Sequence, residues 1–298
     1  MLKALFALDD FAHVLDPHAV VYLATILVVL YLAKKSYDWL GPCDLSVQLT
    51  KEDNKAVAVA FSGYLFGVGL ILLSVLRGEE QVGDAGSIAA AYLFDLGATA
   101  AWCLGGTVLL HVAQRINDRL ILYAFSNVKE MVEDRNVGTG VVEAGGYIGS
   151  GLIIHAALSG SNSSIWAELV STVLYFLAGQ GAFVLFGLLY QKIVRFDLQA
   201  QLERDNAAAG VSFGFNLVAI AVLISAFVQQ SDSLVGLFLW FVLGVFLLLT
   251  SRYVVDKIML PGDLLDDEIQ NDQNWGAALV EGMVAVALAF IVNACFLD

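Results

Sequence analysis

The sequence predicts an all-α integral membrane protein with eight transmembrane helices, built as four parallel two-helix repeats in two pseudosymmetric halves. Three observations predict it. Of the 298 residues, 59% are hydrophobic and 15% charged, whereas soluble domains carry roughly 25% charged residues. Eight apolar stretches reach the ~20 residues that a helix needs to cross hydrocarbon. And every second stretch opens with the same acidic–amide–small pattern.

The stretches are 19–38, 55–76, 87–114, 137–159, 165–195, 207–228, 233–255 and 275–296. The segment before them, MLKALFALDDFAHVLDPHAV, is not read as a signal peptide, because Asp9 and Asp10 interrupt its apolar run and no small-residue cleavage pattern follows. Leu5, Leu8, Val14 and Leu15 can share one face of a short helix lying at the membrane interface. Four of the connections hold nearly all the positive charge: Lys34, Lys35, Lys51 and Lys55; Arg115, Arg119, Lys129 and Arg135; Lys192, Arg195 and Arg204; Arg252 and Lys257. Only Lys3 and Arg77 lie on the other side. Lys and Arg accumulate in cytoplasmic loops, so these four connections are expected in the cytoplasm, with both termini outside an inner membrane. The opposite connections at 159–164 and 229–233 are short and polar, as tight hairpins require.

The repeat is visible at the helix starts. EDNKAVAVAFSG, EDRNVGTGVVEAG, ERDNAAAGVSFG and NDQNWGAALVEG align on Asn54, Asn136, Asn206 and Asn274. An asparagine there can accept from the free N–H groups of a first helical turn, so these four are predicted N-caps. Four and eight residues further on, every copy is small: Ala58 and Ser62, Gly140 and Ala144, Gly210 and Gly214, Ala278 and Gly282. Gly63 with Gly67 and Gly145 with Gly149 add a second such stripe. Small residues at this spacing let helix backbones approach closely in lipid. Each unit has two spans, so all four point the same way. Seven residues past the asparagine the copies read Phe61, Glu143, Phe213 and Glu281, which groups them in pairs and divides the chain into halves at 1–162 and 163–298.

EDRNVGTGVVEAGGYIGSGLII and NDQNWGAALVEG resemble the signature of the bacterial YjfL-like inner-membrane proteins, domain of unknown function 350. Short members are similar to one half of this chain, so the resemblance extends over almost all of it as a duplicated form. It implies a multi-pass inner-membrane protein and no particular activity. Relatives encoded near envelope-stress or polyamine-linked genes imply one role, a non-catalytic scaffold. Short relatives would have to associate to match this chain, so a homo-oligomer of the duplicated form stays open. Phe61 and Phe213 depart from the glutamate motif and carry no ionisable role.

A carboxylate inside hydrocarbon costs at least ~2.5 kcal/mol and marks a site by default. The neighbours of Glu143 and Glu281 one turn away are mostly small, which turns both toward protein rather than lipid. They are read as a paired proton or ion site of a small-solute or ion transporter or channel, with protonated glutamates hydrogen-bonded between helices as the alternative. Asp95, the other deep acid, is read as an accessory lining the same cavity, with satisfaction by a neighbouring side chain as the alternative. Gln180 and Asn216 can donate to a glutamate or bond between helices; His111 and His155 are read as local pairs.

Other classes are set aside. A net charge of −14 opposes nucleic-acid binding. Cys43, Cys103 and Cys295 show no disulfide or zinc spacing. No HExxH or phosphate-binding loop occurs, so no metal or cofactor is expected. Ser150 and His155 are five apart on one helix, which places no base at a nucleophile, and no enzyme is expected. The acidic stretch 262–272 is read as a solvated loop, with binding of cations or a basic partner as the alternative.

Overall fold

The computed structural model describes residues 17–41, 43–77, 88–160, 164–231 and 233–297. The interfacial helix expected near Leu5 to Leu15 lies outside them. The described residues are helical, with no strand among them. Long and short helices alternate: α1 (Pro17–Leu40), α2 (Leu45–Thr50), α3 (Lys55–Arg77), α4 (Ile88–Leu120), α5 (Asn127–Val132), α6 (Val137–Leu158), α7 (Ile165–Ile193), α8 (Leu198–Glu203), α9 (Ala207–Gln230), α10 (Leu234–Val254), α11 (Leu265–Gln270) and α12 (Trp275–Phe296). A π-helical turn, Val255–Met259, extends α10. Seven of the long helices are long and apolar enough to cross a membrane. The remaining one, α1, covers the first predicted stretch.

The helices form two layers. The inner one is a row, α3–α6–α9–α12, in which each helix packs most heavily on the next. Small residues make this approach possible. A Cβ added to Gly140 would lie 2.5 Å from the Ala56 carbonyl oxygen, one on Gly145 2.5 Å from the Gly214 carbonyl oxygen, and one on Gly63 would run into the Ala144 backbone. The contacts join equivalent heights, so the row runs parallel and in register. The outer helices α4, α7 and α10 lie in the grooves between successive inner helices.

Four six-residue helices cover the end of the bundle that carries the basic connections. Asp44, Ser126 and Asp197 cap α2, α5 and α8 through their side chains. In the fourth, the Asp256 carboxylate accepts the Leu265 N–H at 2.8 Å. Each short helix turns into the next inner helix through one residue at positive φ: Asp53 (47°), Arg135 (56°), Asp205 (59°) and Gln273 (49°). The asparagine that follows caps the inner helix, accepting the N–H of Val57, Thr139, Ala209 or Ala277. Its amide donates back to its own short helix, to Gln48, Glu130, Gln201 or Glu268. In the first three units the same amide donates again, to a carbonyl of the following unit: Asn54 to Met131, Asn136 to Leu202 and Asn206 to Ile269, at 2.9, 2.5 and 2.8 Å.

Candidate functional site

The inner row fixes the height of position seven. Glu143 on α6 and Glu281 on α12 are 3% and 1% exposed. They do not meet, because α9 stands between their helices. Each has its own shell, and the shells differ.

Glu281 sits in a closed ionic cluster. The Arg252 guanidinium on α10 reaches it with Nη1 at 2.5 Å from Oε1 and gives Nη2 to Asp266 Oδ1 at 2.5 Å. The Arg252 side chain is only 11% exposed and lies over the Tyr190 ring. Ser212 Oγ donates to Oε2, and Asn216 Nδ2 donates to Oε1 at 3.1 Å. Tyr190 Oη contacts Arg252 at 3.0 Å, and Phe213 stacks on the Tyr190 ring. Arg252 thus bridges two carboxylates, the exposed Arg195 lies 3.9 Å from the second of them, Asp266, and both Glu281 oxygens are occupied.

Glu143 has no such cation. Gln114 Nε2 on α4 donates to its Oε2, and Asn127 Nδ2 on α5 donates to Oε1 at 2.9 Å. The same two amides donate to Asp118 Oδ1, at 3.0 and 3.3 Å. The Asp118 and Glu143 carboxyls thereby stand within hydrogen-bonding reach of each other. Neither forms an ion pair among the described residues. The buried oxygens Gln114 Oε1 and Asn127 Oδ1 have no partner there either. The group is thus rich in acceptors and short of donors. It lines a cavity of about 320 Å³ that also meets Tyr37, His111, Arg115 and Tyr147. Beyond the carboxyls, His111 Nε2 contacts Ser36 Oγ at 3.0 Å and Tyr64 Oη at 3.2 Å. Tyr37, Tyr64 and Tyr147 form an aromatic wall with ring centroids 5.0–6.2 Å apart.

Asp95 belongs to neither shell. It accepts from Tyr22 Oη and lies about 28 Å along α4 from Gln114 at 1.5 Å rise per residue. The accessory role expected for it is therefore corrected: an acid in an apolar run can be as deep as another and still sit at the far end of the bundle. Asn216 does donate to a glutamate, whereas Gln180 Nε2 donates to Asn117 Oδ1 at 2.8 Å and ties α7 to α4. Ser150 Oγ accepts from Asn117, and His155 Nδ1 meets the Leu70 carbonyl, so the two are not partners. Among the described residues no three His, Cys, Asp or Glu side chains gather as a metal site.

Sequence reasoning missed Gln114, Asp118, Asn127 and Arg252. Arg252 counts there as a loop cation, whereas it is a buried ion-pair partner. A signal existed: Gln114 precedes Glu143 by 29 residues, and Arg252 precedes Glu281 by the same 29.

The family model described as Domain of Unknown Function (DUF350) matches the chain twice, over residues 7–158 and 164–296. The chain is also similar to a UPF0719 transmembrane protein of Aquifex aeolicus (strain VF5), with 22% identity over 247 residues, 81% of this chain and 85% of that protein. No solved structure matches it.

Proposed function

The chain belongs to the DUF350 family, carried twice in tandem in one multi-pass membrane protein, and on that premise we propose that it conducts or exchanges protons or small monovalent cations through the Glu143 site. The observation that carries this reading is the pair of carboxyls, Glu143 and Asp118, which share two amide donors and form no ion pair among the described residues, although Arg115 lines the same cavity. Two buried carboxylates at this separation repel, and one proton or one cation relieves the repulsion. The unpartnered oxygens of Gln114 and Asn127 suit the same guest, because a cation or a protonated water supplies what they lack.

In this reading the chain crosses an inner membrane eight times, as four parallel two-helix repeats. The basic connections lie in the cytoplasm and both termini outside. The cavity at Tyr37, Arg115 and Asp118 then opens toward the cytoplasm and ends at Glu143. Ser36, Tyr64 and His111 continue the polar path one turn further. The role is binding and passage, not catalysis. Glu281 serves as a structural counterpart, neutralised by Arg252.

Proton and monovalent-cation flux into proteoliposomes tests this. Wild-type protein is expected to conduct at least one of these ions. Glu143→Gln and Asp118→Asn are expected to lose at least tenfold while eluting as folded protein. Equal flux from wild type and both variants removes the proposal. A second reading, a membrane scaffold in envelope-stress or polyamine-linked processes, draws on the layer formed by α2, α5, α8 and α11. It predicts no flux from any variant and a protein partner crosslinked to that layer.

A further inference from the structure

The join between the two family domains is α6 of the first against α9 of the second. The second domain ends on α12, the equivalent of α6. In the inner row the first domain begins on α3, the equivalent of α9. Nothing among the described residues of this chain covers the outer face of either.

We propose that a second copy of this chain covers them, with α12 of one copy packed on α3 of the next, repeating the domain join head to tail. Such a contact continues an interface already formed three times. At each step, the residue nine past one cap asparagine meets the residue eight past the next: Gly63 meets Ala144, Gly145 meets Gly214, and Phe215 meets Gly282. The fourth step would bring Met283 onto Ser62 of the next copy. Met283 is 51% exposed and Ser62 is exposed. This pairs a large side chain with a small one, as Phe215 pairs with Gly282. Higher up, Gly67 meets Gly151 and Gly149 meets Ala221. The matching fourth pair is Ala287 with Gly69, again two small residues. Both are exposed, and a Cβ built on Gly69 meets nothing within 4 Å.

The hydrogen bonds point the same way. Asn54, Asn136 and Asn206 are 0–1% exposed and each donates to a carbonyl of the next unit. Asn274 is exposed and donates only to Glu268 of its own unit. The register hands its second N–H to the Leu49 carbonyl of the next copy, the equivalent of Met131 and Ile269. An interface whose two faces differ is heterologous, so it closes a ring or runs on as a row.

Disulfide trapping tests this in native membranes. Cys43, Cys103 and Cys295 are first replaced by serine or alanine. Ser62→Cys and Met283→Cys are then made on separately tagged chains and co-expressed. The expected result is a mixed disulfide dimer carrying both tags, with at most a trace of dimer from either variant alone. Gly69→Leu meets open space within its own chain but sets a large side chain against Ala287 of the neighbouring copy. It is expected to lower the mixed dimer at least fivefold without changing the melting midpoint. Three results would overturn the proposal. One is no mixed dimer from folded variants, as when another protein or lipid covers the face. Another is a Ser62→Cys dimer as strong as the mixed one, which means like faces meet. The third is a mixed dimer indifferent to Gly69→Leu.

Discussion

Gln114 and Arg252 stand at the same step of the repeat, 29 residues before Glu143 and Glu281 respectively, and each touches its glutamate from the same side. One is neutral and the other is a cation. Asn127 and Leu265 likewise occupy one position, the first residue of α5 and of α11. In the first half that residue gives an amide to the glutamate; in the second it is an apolar plug, 1% exposed. The same scaffold therefore carries an acceptor-rich pair open to a cavity in one half and a closed ion cluster in the other. A buried carboxylate is no function by itself. Whether a counter-charge is built in decides whether it can take a guest.

The largest effect expected from breaking this contrast is at Arg252. Arg252→Ala leaves Glu281 buried beside no cation, which costs about 3–5 kcal/mol. The unfolding midpoint in detergent is expected to fall sharply. Arg252→Met combined with Glu281→Leu and Asp266→Asn should recover most of the loss, since neutral side chains of similar volume then replace the whole buried ionic group. A mild Arg252→Ala would mean that the cluster is not closed.

The next effect sharpens the contrast by copying it. Gln114→Arg gives the first half the cation of the second. It is expected to hold Glu143 as a permanent ion pair and cut flux at least tenfold, with a melting midpoint at or above that of wild type. Flux that survives in a folded Gln114→Arg protein would separate conduction from the charge of this site. The smallest effects belong to the shared scaffold. Non-glycine residues at positive φ cost about 1–2 kcal/mol each, and glycine recovers part of that against its larger chain entropy. Asp53→Gly and Gln273→Gly should therefore each move stability by less than ~1 kcal/mol, and alike. A large difference in midpoint would mean that the halves differ in scaffold as well as in site.

The fold was legible where the signal is local. Asparagine caps, small residues at four-residue spacing and lengths of apolar run are all read within one helix, and they located the long helices to within a few residues; α4 alone ran on by two turns, to Leu120. The short helices look like loops in the sequence because six residues are too few to show a period. That Glu143 and Glu281 are buried was legible from the small residues one turn away. Their partners were not, because Gln114 and Arg252 lie on other helices and an ion pair leaves no periodic trace. Arg252 was further masked by its position, since charge counting credits any arginine at a helix end to the aqueous loop. Asp95 shows the converse: depth in a span says nothing about which end of the bundle a side chain reaches.

The most direct test of the contrast is infrared difference spectroscopy of the protein in lipid, recorded between near-neutral and alkaline buffer, above the range in which solvated carboxylates protonate. It follows the C=O stretch of protonated carboxylic acids, with Glu143→Gln and Glu281→Gln measured beside wild type. The account predicts a titrating carboxylic-acid band in wild type that persists in Glu281→Gln and vanishes in Glu143→Gln. A band that persists in Glu143→Gln and vanishes in Glu281→Gln would contradict it, because the ion-paired glutamate would then be the one that exchanges its proton.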